Sequence, residues 1–173
     1  HFNFVKLKDL EETVRDISEV FKLKRTPTNE HDKPFVSRSW VTRKKMGVDR
    51  LASAWLIKRF IDPKGTIKCV DFDDYKVDPS DLRFDVFPGE FTHEGEHCTF
   101  ETLLSRFFIK EPRLLKLGNI IHDLDIEDGK YLDPDTERIH DLLIKGMQDK
   151  GDDDRMSMAF KRLDKWLSKA ACA

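Results

Sequence analysis

Val36-Ser-Arg-Ser-Trp40-Val-Thr-Arg43, Asp49-Arg-Leu-Ala-Ser-Ala-Trp55-Leu-Ile-Lys-Arg-Phe-Ile61 and Thr66-Ile-Lys-Cys-Val-Asp-Phe72 read as strand, helix and strand. Residues 36–43 collect β-branched and aromatic side chains around Trp40, which suits a pleated, half-buried surface. Leu51, Ala54, Trp55, Ile57, Phe60 and Ile61 recur at helical spacing, and Asp49 stands where a cap belongs. Asp62-Pro63-Lys64-Gly65 ends the helix by turn chemistry. Residues 84–87 read as a weak third strand and residues 90–95 as a fourth.

Beyond residue 98 the period changes. Thr99 reads as a cap, and Phe100, Leu103, Leu104, Phe107 and Phe108 form the clearest helical stripe in the chain. Pro112 suits the first turn of a helix carrying Leu114, Leu117, Ile120, Ile121 and Leu124, closed by Gly129. Pro134 opens another helix with Ile139, Leu142, Leu143 and Met147. Asp152, Asp153 and Asp154 favour the start of a last helix, whose core side is Met156, Ala159, Phe160, Leu163, Trp166 and Leu167. The expected fold class is α+β, with a small β-sheet in the first half packed by a mainly helical second half.

Upstream, residues 6–24 carry an apolar stripe of Leu10, Val14, Ile17 and Phe21. Residues 25–34 are polar with two prolines and read as a linker. The division is therefore 1–35, an N-terminal helix and linker, and 36–173, the compact domain. At 173 residues the chain is long enough to bury a core without staples. Lys+Arg 31 and Asp+Glu 33 nearly cancel, giving no general electrostatic reason to bind nucleic acid or anionic membrane. The 3 cysteines lack a CxxC pair or an even framework, which favours a reducing compartment. No apolar run is long enough for a membrane span.

Two acid-rich clusters hold three of the 6 histidines: His93-Glu94-Gly95-Glu96-His97-Cys98 and Ile121-His122-Asp123-Leu124-Asp125-Ile126-Glu127-Asp128. Imidazole and carboxylate together suit a first-row divalent ion. On a wheel at about 100° per residue, Asp125 falls at the edge of the apolar stripe and His122 well off it. A carboxylate at a buried edge is costly unless paired or bound to metal. His122 needs another element packed over its flank to join it. His93 shares a strand face with Phe91 and is expected to point inward; a bulge at Gly95 would re-aim Glu96. The other reading of both clusters is structural, with histidines hydrogen-bonded to acids and a solvated turn at 94–97.

Arg50 sits in the first turn of its helix, where a positive charge gains nothing from the dipole. That mild misfit points to a specific partner, either a carboxylate or an anionic ligand; the other reading of this stretch is a solvated charged face. Arg43, Arg50 and Arg59 are the candidates for holding an oxyanion. Cys98 precedes a helix start but has no defined base and reads as a small buried apolar group.

Trp40-Val-Thr-Arg43, Val48-Asp49-Arg50 and Trp55-Leu-Ile-Lys-Arg59-Phe-Ile-Asp62-Pro63 resemble the opening of the bacterial chromate-resistance domain found at the C-terminus of ChrB-type proteins. His93-Glu-Gly95-Glu96-His-Cys98-Thr99-Phe100-Glu101 resembles its second block. Ile121-His122-Asp123-Leu124-Asp125 with Asp128-Gly129 resembles its third. The resemblance implies a cytoplasmic protein linked to chromate resistance, with a variable N-terminal region or a fused or partner domain. It favours His93, Glu96, His122 and Asp125, which fall within the matched blocks.

Three readings follow. The first is a metal-binding protein, with a metal-dependent (Fe or Mn rather than Zn) enzyme as its narrower form, His93, His122 and Asp125 as ligands and Glu96 as a fourth ligand or general base. The second is an oxyanion (chromate) sensing or regulatory module without catalysis, built on Arg43, Arg50 and Arg59. The third is a plain interaction domain.

Overall fold

The computed structural model describes residues 35–169, so the expected helix over 6–24 and its linker lie outside the described residues. β1 (Ser39–Arg43) is central, with β2 (Thr66–Val70) on one side and β3 (Asp81–Arg83) on the other, both parallel to it. Trp40, Val41 and Thr42 are all buried, as a strand covered on both faces requires. The chain leaves β1 through α1 (Val48–Leu56), continues in a π-helical turn (Ile57–Ile61) and returns to the sheet as β2. Four further helices follow: α2 (Thr99–Arg106), α3 (Pro112–Asp125), α4 (Thr136–Ile144) and α5 (Asp152–Lys169). The architecture is α+β, with the sheet in the first half and most helices in the second. One core joins them, through Trp40 and Trp55 to Phe100, Leu117, Ile121 and Leu163.

Several boundaries differ from the sequence reading; α2 has its N-cap at Cys98 rather than Thr99, and α4 opens at Thr136 rather than Pro134. The third strand is Asp81–Arg83, not 84–87, and residues 90–95 form only an isolated bridge, Phe84 to Phe91. The ladder ends at Asp85: Phe84 N–H still reaches the Val41 carbonyl (2.9 Å), but Asp85 then takes a left-handed φ of 48° and turns the chain out of the sheet. α3 ends at Asp125 rather than Gly129, because Glu127 adopts φ 59° and folds Asp128 back toward the helix. Asp49 does not cap its own helix, whose N-cap is Gly47.

Asp62 organises the entry to the sheet. Its carboxylate accepts from Ser37 N–H (2.8 Å), Arg38 N–H (2.8 Å) and Trp40 Nε1–H (3.1 Å). Gly65 lies against this carboxylate: a Cβ there would stand 2.7 Å from Asp62 Cγ and 3.0 Å from Trp40 Cδ1. Since three donors pin the carboxylate, Gly65→Ala is expected to lower stability by about 2 kcal/mol. Gly47→Ala, where an added Cβ meets nothing within 4 Å, should stay within about 0.5 kcal/mol. Urea unfolding midpoints at unchanged slope check both. Equal midpoints for the two variants would contradict this packing.

Candidate metal centre

β1 and β3 point their carboxyl ends at the same place. The chain runs from β1 to β2 on one side, while β3 lies on the other, so this is a topological switch point, where open α/β sheets leave a crevice. Asp49 arrives from the first turn of α1, just after β1, and Asp85 from the turn just after β3. His93 comes from the loop before α2, and Asp125 from the last turn of α3. His93 Nε2 lies 3.2 Å from Asp125 Oδ2, 3.6 Å from Asp49 Oδ2 and 3.9 Å from Asp85 Oδ1. Donor atoms of Asp49, Asp85 and His93 all fall within 4.8 Å of one another.

Each carboxylate is held by different partners. Asp49 is 1% exposed and caps α2 from outside that helix, accepting from Thr99 N–H (2.8 Å), Phe100 N–H (2.9 Å) and Ser53 Oγ (3.1 Å). Asp85 accepts from Arg50 Nε (2.8 Å) and Thr99 Oγ1 (3.2 Å). Asp125 faces His93. Burial, and then the Asp49 charge, push the Asp85 carboxyl up to about 6 against the pull of Arg50. The same two causes raise Asp125. Hydrogen bonding to Asp49 raises the His93 imidazole against the opposing effect of burial. Negative charge is in surplus here, and the arrangement favours a cation.

His122 belongs to an adjoining network. It is fully buried, with Nδ1 2.6 Å from Glu101 Oε2 and Nε2 3.2 Å from Asp128 Oδ2. Glu101 also accepts from Cys98 N–H (3.0 Å) and Tyr131 OH (3.1 Å), and the Tyr131 ring stands edge-on to the imidazole. α2 is the element that covers the flank the wheel left open. Gly118, one turn before His122, permits this approach: a Cβ there would stand 3.1 Å from Leu104 Cδ1. Asp123 and Asp128 have donor atoms within 4.8 Å of a His122 nitrogen and of each other. Asp123 is already bonded to the Tyr131 and Leu132 amides.

Residues 40–169 match the family described as ChrB, C-terminal domain. The chain belongs to this family. It is also 44% identical over 94 residues to Protein ChrB of Cupriavidus metallidurans, an alignment covering 53% of this chain and 28% of that protein. No solved structure matches the chain.

In this ChrB C-terminal domain the remaining sequence candidates lie apart. The Glu96 side chain is 86% exposed and pairs with Lys130 (3.2 Å). Arg43 is exposed at the end of β1. Arg59 forms a two-pronged pair with Asp164 of α5 (3.0 and 2.9 Å) and lies over the Phe160 ring. Of the three arginines, Arg50 alone adjoins the carboxylate cluster. Cys98 is buried, which pushes its thiol up and keeps it protonated. Asp49 and Asp85 are the members that sequence reasoning missed. The available signal for Asp85 was a charged residue between two strand-like apolar residues, Phe84 and Val86, in a position where Asp tolerates left-handed backbone. Nothing local distinguishes Asp49 from a helix cap. Among the described residues no helix is long and apolar enough to cross a membrane.

Proposed function

We propose that this domain is a cytoplasmic metal-binding module of the chromate-resistance type. It holds a hard divalent cation, Fe or Mn rather than Zn, through Asp49, Asp85, His93 and Asp125. The observation that carries this reading is the convergence of three carboxylates from α1, the turn after β3 and α3 on one imidazole nitrogen. The donor chemistry fits the ion. Three carboxylates against the single Arg50 guanidinium leave two negative charges, which a divalent cation balances, and oxygen-rich sets suit Mn and Fe better than thiolate-seeking metals. His122 is read as a supporting residue that fixes α3 against α2, since carboxylates face both its ring nitrogens. Glu96 lies outside the donor set. A bound ion with open positions would polarise a substrate or activate water, the basis for an enzyme of this kind.

The test is elemental analysis of protein purified without chelator, followed by Mn2+ titration read by electron paramagnetic resonance. One Mn2+ per chain is expected. His93→Ala and Asp125→Asn should each weaken it by roughly 100-fold, the upper range even for residues that only support a metal site. Protein that carries no metal and takes up neither Mn, Fe nor Zn would reject the proposal.

A further inference from the structure

Arg50 uses only half of its fork. A planar guanidinium presents Nε–H and one Nη–H side by side along one edge, which matches the two oxygens of a carboxylate. Arg59 and Arg83 use both: Arg59 on Asp164 (3.0 and 2.9 Å), and Arg83 on Glu90 (3.1 and 2.7 Å). In Arg50 the Nε–H alone reaches Asp85 (2.8 Å). Its Nη1 donates behind to the Lys44 and Lys45 carbonyls (3.4 and 3.1 Å), which favours this orientation of the group. The second oxygen of Asp85 is turned away toward Thr99 Oγ1 and His93. That leaves Nη2, on the same edge, without a partner among the described residues, in a side chain only 12% exposed.

We infer that Arg50 Nη2 is the second handle for a small oxyanion that binds only together with the metal. This rests on the metal-binding reading above. Without a cation, the three carboxylates of the cluster that Arg50 adjoins repel a dianion. With a divalent ion in place the cluster is neutral, and an oxyanion can give one oxygen to an open metal position and another to Nη2. Arg43 and Arg59 take no part, because one lies outside the cluster and the other is spent on Asp164.

Sulfate, a redox-inert tetrahedral dianion, is the probe, and perchlorate, the same shape with one charge and little affinity for metals, is the control. Each is titrated into the full chain, with and without saturating Mn2+. The readout is loss of water-proton relaxation enhancement as the anion displaces a metal-bound water. Sulfate should bind the Mn2+-loaded protein, perchlorate should not, and calorimetry should find no sulfate binding to the metal-free protein. Arg50→Ala, loaded with Mn2+, should lose at least about tenfold in sulfate affinity, the worth of one charge-assisted hydrogen bond. Arg50→Lys keeps the charge and lacks the fork, and should lose several-fold; it decides the matter if the alanine variant does not fold. Equal sulfate binding with and without Mn2+, or unchanged affinity in the arginine variants, would overturn the inference while leaving the metal site standing. Failure of Mn2+ itself to bind removes the metal reading and this inference with it.

Discussion

Asp49→Ala is expected to destabilise the metal-free protein by about 4 kcal/mol. The Asp49 carboxylate is 1% exposed and satisfies two buried backbone donors, Thr99 N–H and Phe100 N–H, together with the Ser53 hydroxyl. Those amides open α2, where positive ends of peptide dipoles accumulate and a negative charge is favoured. Loss of an ordinary cap costs about 1 kcal/mol, and each orphaned buried donor adds roughly 1–3. Asp49→Asn should cost about half as much, because the amide keeps one acceptor oxygen but turns an NH2 toward one of the two amides. Guanidinium unfolding of both variants checks this, and the ranking of the two is the informative part. An alanine variant as stable as the parent would mean that the α2 amides find another acceptor, and the link between α1 and α2 described above would be wrong. In the metal-loaded state the cost should be larger still, since a ligand is lost as well.

His122→Ala should cost about 3 kcal/mol near pH 6, in the range of buried ion pairs that lose one partner. The imidazole is fully buried and bridges Glu101 of α2 to Asp128 of the turn after α3. Removing it strands the Glu101 carboxylate, 10% exposed, with only the Cys98 amide and the Tyr131 hydroxyl as donors. The cost is pH-dependent, with a definite sign. Burial pulls the imidazole down, but its hydrogen bonds to Glu101 and Asp128 outweigh that and hold it above its ordinary value in the folded protein. A group raised on folding stabilises fully below its unfolded value, about pH 6.5 for histidine, and loses that contribution as pH rises through the folded value. The gap between parent and His122→Ala should therefore be widest at pH 5.5–6.5, roughly one unit or less below that value, and narrow steadily above it. Denaturant midpoints measured across this range give the curve. A gap that is flat, or that widens with pH, would show that His122 is held neutral.

The helices were legible because their signal is local. Phe100, Leu103, Leu104 and Phe107 repeat at the period of one helix face, and all four are buried, whereas Phe108, the fifth of the stripe, lies past the helix end at φ 52° and is exposed. Pro112 and Asp152 also mark true helix starts. Strand ends were less legible. Residues 84–87 carry strand composition, yet Asp85 breaks the ladder because its carboxylate is engaged by Arg50 and Thr99, partners 35 and 14 positions away. His93 and Asp125 stood out by residue type, and the fold places them 3.2 Å apart. Residue type also singled out Glu96, whose side chain is 86% exposed. Arg50 is conspicuous in the sequence because its charge opposes the local helix dipole, and its partner is a carboxylate.

Residue pattern alone determined an α+β chain, its helix periodicity and the membership of two histidine-acid blocks, because each rests on neighbours within a few positions. Only the tertiary structure decided which acids meet. Asp49 reads as a cap for the helix it begins, yet it caps one that starts 50 positions later. His122 reads as solvent-facing on its own helix, yet α2 buries it. In both cases the same side chain has two satisfactory uses, and the choice is made by which element packs across from it, a relation that no local window of sequence contains.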